Sequence, residues 1–224
     1  VRHGLVKLIG LPKAAAAYQA DINRLERELN IPPPQNAVVN AYHYASLAVL
    51  AKLASEIGFF DKAERLQRRI EILKKNFNSS FLNNKLQLYS DSVNGNRYSL
   101  HSNVLPYLFN IYPLSAKQSI EKRILKAEMP SVYFSQFLIE SLYKNGLRDE
   151  AFRMLTSRSE KSWYGLYTKY GSGMTPEAWS FEDKPNMDLN HPWSTSPVNL
   201  IHRFVVGVRP LVPGYEKIEI APND

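Results

Sequence analysis

The chain has 224 residues, of which 44% are hydrophobic and 22% are charged, and this composition is typical of one globular domain with a substantial core. It contains no stretch of about 18 apolar residues and no signal-peptide pattern, so we expect no membrane partner. Cysteine is absent, which excludes disulfide bonds, thiolate metal sites and a cysteine nucleophile.

The net charge of +7 raises the question of a nucleic-acid partner. The densest basic group, in residues 62–75, is interleaved with Glu64 and Glu71 in a segment with the pattern of one amphipathic helix. This mixture of charges favours a solvated helix face, so we expect no nucleic-acid partner. The first residue is Val1, so we expect processing or a longer parent protein. We favour a periplasmic or secreted location over a cytoplasmic one.

The apolar spacing of the first third predicts three helices. Residues 11–30 form the first, which three consecutive prolines end. Residues 40–56 form the second, with Gly58 as its C-terminal cap. The third begins at Asp61, where Glu64 completes a loose capping box, so the last two helices make a helical hairpin.

A second hairpin is predicted after a turn-rich segment. Helical patterns cover residues 99–112, 115–128, 131–145 and 148–158. In the first hairpin, Gly58 is predicted to end one helix and Asp61 to cap the start of the next. Gly146 and Asp149 repeat this arrangement in the second hairpin. Because the two glycines lie 88 residues apart, a solenoid with a repeat of about 34 residues fits less well than a closed or irregular array of hairpins.

The C-terminal part combines a helix with an extended segment. Residues 194–206 are predicted as a final helix, residues 207–214 as a proline-punctuated linker, and the alternation in residues 215–221 as a β-strand. This strand either starts a further β-structure or pairs with another segment. The predicted division is a helical N-terminal segment (1–35), a helical-hairpin domain (36–206), and a linker with the first strand of a C-terminal β-domain (207–224).

Residues 171–197 form a long segment rich in Gly, Pro, Asn and Ser that no helix pattern covers. Long irregular segments in compact domains are uncommon and are often functional. Indole faces pack well against sugar rings, so we predict a carbohydrate or similar polar-ring site, with core packing as the alternative for each indole taken singly. All three tryptophans of the chain lie in or near the segment: Trp163, Trp179 and Trp193.

Glu177 is the candidate for acid–base chemistry in this segment. It follows a proline and lies two residues before Trp179, where partial desolvation would raise its pKa and suit it to proton transfer. The sequence Thr175-Pro176-Glu177 is equally typical of a helix start, and spacing alone does not separate the two interpretations. The candidate carboxylate partners, each more often a solvated loop acid, are Glu182, Asp183 and Asp188.

Two histidines are candidates for a binding site. His191 lies in the irregular segment, and His101 lies in a polar cluster at the start of an apolar helix. A zinc site would favour His-x-x-x-His or His-Glu-x-x-His spacing, and neither occurs. The sequence also has no glycine-rich phosphate loop and no Gly-x-Ser-x-Gly elbow, so we predict no metal and no cofactor.

Several short motifs occur along the chain in a characteristic order. They are Asn40-Ala-Tyr-His-Tyr44, Ser99-Leu-His-Ser-Asn103, Ser131-Val-Tyr-Phe-Ser-Gln-Phe-Leu138, Met174-Thr-Pro-Glu-Ala-Trp179, Lys184-Pro-Asn186, Asn190-His-Pro-Trp193 and Gly207-Val-Arg-Pro210. In this order they resemble the bacterial α-L-rhamnosidases of glycoside hydrolase family 78. The resemblance covers roughly residues 36–222 and is most specific in the last third.

This resemblance implies an all-α fold, an (α/α)6 barrel of six helical hairpins followed by a β-sandwich. It also implies inverting hydrolysis of terminal L-rhamnose from a rhamnose-containing oligosaccharide or glycoside. Glu177 matches the general base of the family, and His191 matches a histidine that helps to hold the sugar. The other expected substrate-binding residues are Trp179, Trp193, His101 and Asn190, with Trp163 added for its indole.

One part of the family pattern is missing. The family's general acid lies in an acidic motif earlier in the barrel, and residues 1–35 contain nothing similar. Twelve barrel helices need about 350 residues at ordinary helix and loop lengths, so we expect an incomplete barrel that is inactive alone. The alternatives are a non-catalytic carbohydrate-binding or interaction scaffold, and a barrel of this kind that acts on a different sugar.

Overall fold

The computed structural model describes residues 36–171 and 173–222, so the helix predicted at residues 11–30 lies outside the described part. The α-helices are α1 (Ala37–Glu56), α2 (Phe60–Phe81), α3 (Leu100–Leu108), α4 (Lys117–Leu125), α5 (Val132–Lys144), α6 (Arg148–Leu155), α7 (Trp163–Tyr170) and α8 (Ser196–Leu200). Two short antiparallel pairs join β1 (Leu82–Asn83) to β2 (Leu88–Tyr89) and β3 (Val208–Pro210) to β4 (Ile218–Ile220). The predicted all-α fold of helical hairpins followed by a small β-structure is therefore confirmed.

The helices form two layers. Helices α1, α3, α5 and α8 pack side by side as an inner row, while α2, α4 and α6 each return along the outside of the inner helix that precedes them. The buried core lies between the layers and includes Tyr107, Leu138 and Leu142, all fully buried. None of the helices in the described residues is long and apolar enough to cross a membrane.

The N-terminal ends of the inner helices are capped by short polar side chains. Asn36 accepts a hydrogen bond from the N–H of Val39, and Ser99 and Ser131 accept corresponding bonds at the starts of α3 and α5. Because an outer helix reverses the chain between them, the inner helices α1, α3 and α5 run in one direction and their N-terminal ends meet at one end of the array. This end carries the site described below.

The hairpin junctions differ from the prediction at their aspartates. The α2 helix begins after Phe59 and α6 begins after Leu147, and neither residue caps through its side chain. Asp61 and Asp149 lie within the first turns, where a carboxylate stabilises the helix through the macrodipole. The α2 helix thus starts one residue before the predicted Asp61, and α6 starts at Arg148 as predicted, but neither aspartate is the cap. Phe59 and Leu147, which precede the two helices, pack against the core, and the capping pattern does not register that packing.

The C-terminal segment also departs from the prediction. The expected helix at residues 194–206 is divided into a 3-10 turn (Pro192–Thr195), α8 and a π-helical turn (Ile201–Val205). The expected linker contains β3, which pairs with β4 through Val208 opposite Ile220. The pairing depends on Gly207, where φ is +75° and a Cβ atom would lie 1.8 Å from the carbonyl oxygen of Ala221, so only glycine lets the two segments approach.

Candidate active site

One buried indole and one partly buried indole attach the irregular segment to the helices. Trp179 is 3% exposed, packs with Val132 and Leu166, and donates its indole N–H to the carbonyl of Pro130. Trp163 lies edge-on to Trp179 at 5.4 Å and donates its own N–H to the carbonyl of Ser194. The two tryptophans therefore anchor both the beginning and the end of the segment next to the start of α5.

The segment is ordered by main-chain hydrogen bonds between its two halves. The N–H of Glu177 bonds to the carbonyl of Asp188 at 2.8 Å, and the N–H of His191 bonds to the carbonyl of Thr175 at 2.9 Å. No helix begins at Thr175, so the interpretation of Thr175-Pro176-Glu177 as a helix start is wrong. The backbone N–H of Glu177 is used in this pairing, which fixes where its side chain leaves the main chain.

The carboxylate of Glu177 lies among hydrogen-bond donors. Lys184 Nζ donates to its Oε1 atom in a short ion pair, and the N–H of Asp188 donates to Oε2 at 3.3 Å. His191 Nε2 lies 3.9 Å from Oε1, while Trp193 donates its indole N–H to the Glu177 carbonyl at 3.3 Å. The Glu177 side chain is only 11% exposed, so these partners substitute for most of its water.

These contacts reverse the predicted electrostatics of Glu177. The hydrogen bond from Lys184 lowers the pKa of the Glu177 carboxyl below its ordinary value, with the Asp188 N–H, the Lys184 charge and His191 acting in the same direction. Burial opposes this shift without outweighing it. The sequence-based expectation of a raised pKa is therefore wrong, because it considered the apolar neighbours and not the lysine seven residues later.

Glu177 lines a pocket of about 500 Å³ that is open to solvent. Tyr133 and Trp193 form one wall with rings 5.3 Å apart, and they are 43% and 40% exposed. Asp183 and Lys161 lie on the rim as an ion pair at 3.4 Å. The remaining lining residues are Met129, Pro130, Ser131, Ala178, Trp179 and Lys184.

A row of aromatic rings continues from the pocket across the N-terminal ends of the inner helices. Trp193 stacks on His191 at 4.1 Å and contacts Tyr133, which contacts Phe137 at 5.5 Å. Phe137 in turn lies 5.6 Å from Phe134. His101, at the far end of this row, lies 3.8 Å from Phe134, ring centre to ring centre.

The environment of His101 favours its neutral form. Desolvation by the surrounding protein lowers the pKa of the imidazole, and the nearby carboxylate of Asp91 opposes this effect. Asp91 is itself held by hydrogen bonds from the Ser99 N–H and the Ser102 hydroxyl. His101 and His191 therefore belong to one aromatic surface, although 90 residues separate them in the sequence.

The predicted site residues separate into two groups. Glu177, His191 and Trp193 contact one another at the pocket, whereas the contacts of Trp163 and Trp179 are those of structural anchors. The catalytic role of Glu177 and the substrate-binding roles of the other four residues, of His101 and of the exposed Asn190 remain predictions. Within residues 36–171 and 173–222, no group of three or more metal-ligating side chains is found.

Sequence reasoning gave no role to two residues of the pocket, Lys184 and Tyr133. Both lie inside the motifs that carry the family resemblance, but a lysine or a tyrosine at these positions does not by itself indicate a function. One signal for Tyr133 was available, since Tyr133 and Phe137 are spaced at i and i+4 and share a helix face. No comparable signal pointed to Lys184, whose position beside Glu177 depends on how the loop turns.

Comparisons with known proteins agree with this architecture. A family profile described as the bacterial alpha-L-rhamnosidase 6 hairpin glycosidase domain matches residues 16–205. An alpha-L-rhamnosidase of Alteromonas sp. (strain LOR) is 22% identical over 200 residues, which is 83% of this chain and 21% of that protein. This chain thus spans about a fifth of the length of that relative.

Solved structures have a similar fold. The alpha-L-rhamnosidase of Dictyoglumus thermophilum aligns with a TM-score of 0.70 at 21% identity, over 82% of this chain and 21% of that one. The alpha-L-rhamnosidase of Streptomyces avermitilis, solved in complex with L-rhamnose, aligns with a TM-score of 0.70 at 20% identity, over 96% of this chain and 23% of that one. With the family profile covering most of the sequence, the chain belongs to the bacterial α-L-rhamnosidase six-hairpin glycosidase domain family.

Proposed function

We propose that this chain forms part of an inverting α-L-rhamnosidase in which Glu177 is the general base. The observation that carries the proposal is an ionised, little-exposed carboxylate on the wall of an open pocket whose other wall consists of two half-exposed aromatic rings. A base must be deprotonated at the working pH and within reach of a bound water. The donors around Glu177 favour the deprotonated form.

The aromatic wall suits the apolar face of a deoxy sugar. Trp193 and Tyr133 present ring faces at the pocket, and L-rhamnose carries a methyl group and C–H-rich faces that pack well on such rings. His191 stacks on the Trp193 indole, and the Nε2 atom of His191 lies on the side of Glu177. The loop therefore supplies Glu177, His191 and Trp193, while α5 supplies Tyr133.

In the proposed reaction, Glu177 accepts a proton from a water molecule as the water attacks the anomeric carbon. A separate carboxylic acid protonates the departing glycosidic oxygen, and in inverting enzymes the two carboxyl groups lie roughly 6.5–9.5 Å apart. Asp183 lines the same pocket, but its carboxylate is engaged by Lys161 in an ion pair at 3.4 Å on the rim, and no family motif falls on it. We therefore assign the acid to a barrel segment of the parent protein and not to a described residue.

Replacing Glu177 tests this role. In the parent protein that contains this chain, Glu177→Gln is expected to lower kcat on an aryl α-L-rhamnoside by about 100- to 10,000-fold, because the amide cannot accept the proton. Glu182→Gln is the matched control, since Glu182 is an exposed acid of the same loop that pairs with Lys169. Unchanged activity in Glu177→Gln would remove Glu177 from the mechanism.

The stereochemical course is a separate test. Inversion at an α-L-rhamnoside gives β-L-rhamnose as the first product, which NMR detects before mutarotation. First formation of α-L-rhamnose would contradict the inverting mechanism while leaving the substrate assignment intact.

A carbohydrate-binding role without catalysis is the second candidate. The observation that favours it is that both carboxylates lining the pocket, Glu177 and Asp183, are paired with lysines. It predicts that the parent protein binds L-rhamnose in calorimetry but releases none from an aryl rhamnoside. Hydrolysis that depends on Glu177 would exclude it.

A further inference from the structure

We propose that Lys184 is a positioning residue for Glu177. Its ammonium group holds Oε1 of the Glu177 carboxylate in a fixed orientation at the pocket wall. This inference rests on the proposed function only for its catalytic consequence, since the pairing itself can be tested in the chain alone. Lys184 lines the same pocket and makes a direct ion pair with Glu177. The pair joins two residues of one loop whose main chain is itself ordered.

The backbone around Lys184 is preorganised for this contact. Its N–H donates to the carbonyl of Ser180 at 3.1 Å, and its own carbonyl accepts from the N–H of Met187 at 3.0 Å. Pro185 follows it and restricts φ at the next position. Because a tight turn holds the lysine at both its N–H and its carbonyl, the backbone is already fixed and the ion pair has only the side chain of Lys184 to order.

The remaining groups that face Glu177 do not replace this contact. His191 Nε2 lies at 3.9 Å from Oε1, beyond hydrogen-bond distance, and the Asp188 N–H serves Oε2. The carboxylate of Asp188 accepts the N–H of Asn190. Lys161, the other lysine of the pocket, pairs with Asp183. Lys184 is thus the cation in direct contact with the proposed base.

This arrangement has two consequences for a base. A carboxylate held at both oxygens presents its remaining lone pairs in one direction, which favours attack by a water bound at a defined place. The adjacent ammonium group also keeps the carboxylate deprotonated at pH values where an isolated glutamate would begin to take up a proton. A salt bridge that only closed the loop would not direct the carboxylate towards a defined water position.

Titration of Glu177 tests the inference in the 224-residue chain. We would label glutamate side-chain carboxyls with 13C, assign Glu177 by its absence in Glu177→Gln, and follow its chemical shift with pH. Lys184→Met, which keeps the aliphatic stem and removes the charge, is expected to raise the Glu177 midpoint, and Lys184→Arg is expected to leave it close to wild type. Lys161→Met is the matched control and should leave the midpoint unchanged.

An unchanged Glu177 midpoint in Lys184→Met would overturn the inference, as would an equal change in Lys161→Met. If Lys184→Met does not fold, Lys184→Gln replaces it, with a native far-UV and near-UV spectrum required before titration. This result is independent of catalysis, because a shifted midpoint would stand even if Glu177→Gln kept full hydrolytic activity and the proposed function failed.

The catalytic consequence is measured in the parent protein. Lys184→Met is expected to move the acid limb of the kcat/KM profile to higher pH and to lower kcat more than it changes KM, and Lys184→Arg should restore both. A salt bridge whose loss only disordered the loop would raise KM as much as it lowered kcat. Such a result, or an unchanged acid limb, would therefore overturn the positioning role.

Discussion

The same residue type has two different roles within the loop at residues 171–197. Trp179 is 3% exposed and its N–H is satisfied by the Pro130 carbonyl, so its indole is a core side chain with a polar anchor. Trp193 is 40% exposed, with its ring between His191 and Tyr133. Both indoles contact the start of α5, Trp179 through Val132 and Trp193 through Tyr133, so the fold of the loop against this helix decides which indole is buried.

This difference predicts opposite effects of two matched substitutions. Trp193→Ala is expected to weaken L-rhamnose binding to the parent protein about tenfold, which corresponds to about 1.4 kcal/mol, while changing the free energy of unfolding by less than about 0.5 kcal/mol. Trp179→Ala is expected to lower the free energy of unfolding by about 3–5 kcal/mol, because it leaves a cavity and an unpaired carbonyl.

Calorimetric titration with L-rhamnose and urea denaturation separate the two outcomes. Tyr167→Ala serves as a control for removal of an exposed ring outside the pocket, since Tyr167 is 65% exposed on α7. Strong destabilisation by Trp193→Ala, or normal stability of Trp179→Ala, would contradict these assignments.

Among the secondary-structure elements, the π-helical turn at the end of the helical array is joined to α5 by a cluster of charged side chains. Glu140 on α5 is 8% exposed and bonds to Arg203 in the π-helical turn at 3.0 Å and to Lys144 at 2.9 Å. Arg203 also lies over the ring of Phe204, which stacks on Tyr143 at 4.9 Å. The π-helical turn therefore docks on α5 through a charge pair and a ring pair together.

Burial alone would raise the pKa of Glu140, but its hydrogen bonds with Arg203 and Lys144 outweigh burial and lower the pKa below the ordinary value. Glu140→Gln is therefore expected to lower the free energy of unfolding at pH 7 by about 1–2 kcal/mol, in the lower half of the range for charged hydrogen bonds, because both cations are partly solvated.

Denaturation with urea at pH 7 measures this loss. Glu150→Gln is the matched control, since Glu150 pairs with Arg153 three residues away on an exposed face of α6, and it should change stability by less than about 0.5 kcal/mol. Equal effects of the two substitutions would show that the Glu140 cluster does not stabilise the docking.

For the whole molecule, the perturbed groups predict that stability falls on acidification. The pKa values of His43 and His101 are lowered, chiefly by desolvation, so the unfolded chain takes up protons first as the pH falls below about 6.5 and stability decreases there. Burial would raise the pKa values of Asp91 and Glu140, but hydrogen bonds and nearby cations outweigh burial and lower both pKa values. The stability that these carboxylates contribute is therefore complete above about pH 4 and is lost below it.

Urea denaturation from pH 8 to pH 3 checks this profile. We expect a shallow decrease below pH 6.5 and a steeper one below pH 4, and the steeper one should be smaller in Glu140→Gln. A free energy of unfolding that rises between pH 7 and pH 5 would contradict the signs given for the histidines.

Much of this protein could be predicted from local sequence. The apolar periodicity of α1, α2, α5 and α6 and the glycines at the hairpin turns follow from short-range rules, since a helix needs one buried face and glycine permits the positive φ at Gly58 and Gly146. Glu177, His191 and Trp193 were singled out because they lie within 17 residues of one another in a loop of unusual composition, and the family resemblance then favoured their predicted roles.

Other features were decided only by the tertiary structure, because they depend on contacts between segments distant in sequence or on how a loop folds back. The sequence suggested a raised pKa for Glu177, but Lys184 reverses it across a turn that no pattern predicted. His101 joins His191 through rings from α3 and α5, and β3 forms where a linker was expected because β4 returns to it. Periodicity reports which face of an element is buried, whereas the charges and rings that meet at a site depend on the packing of several elements together.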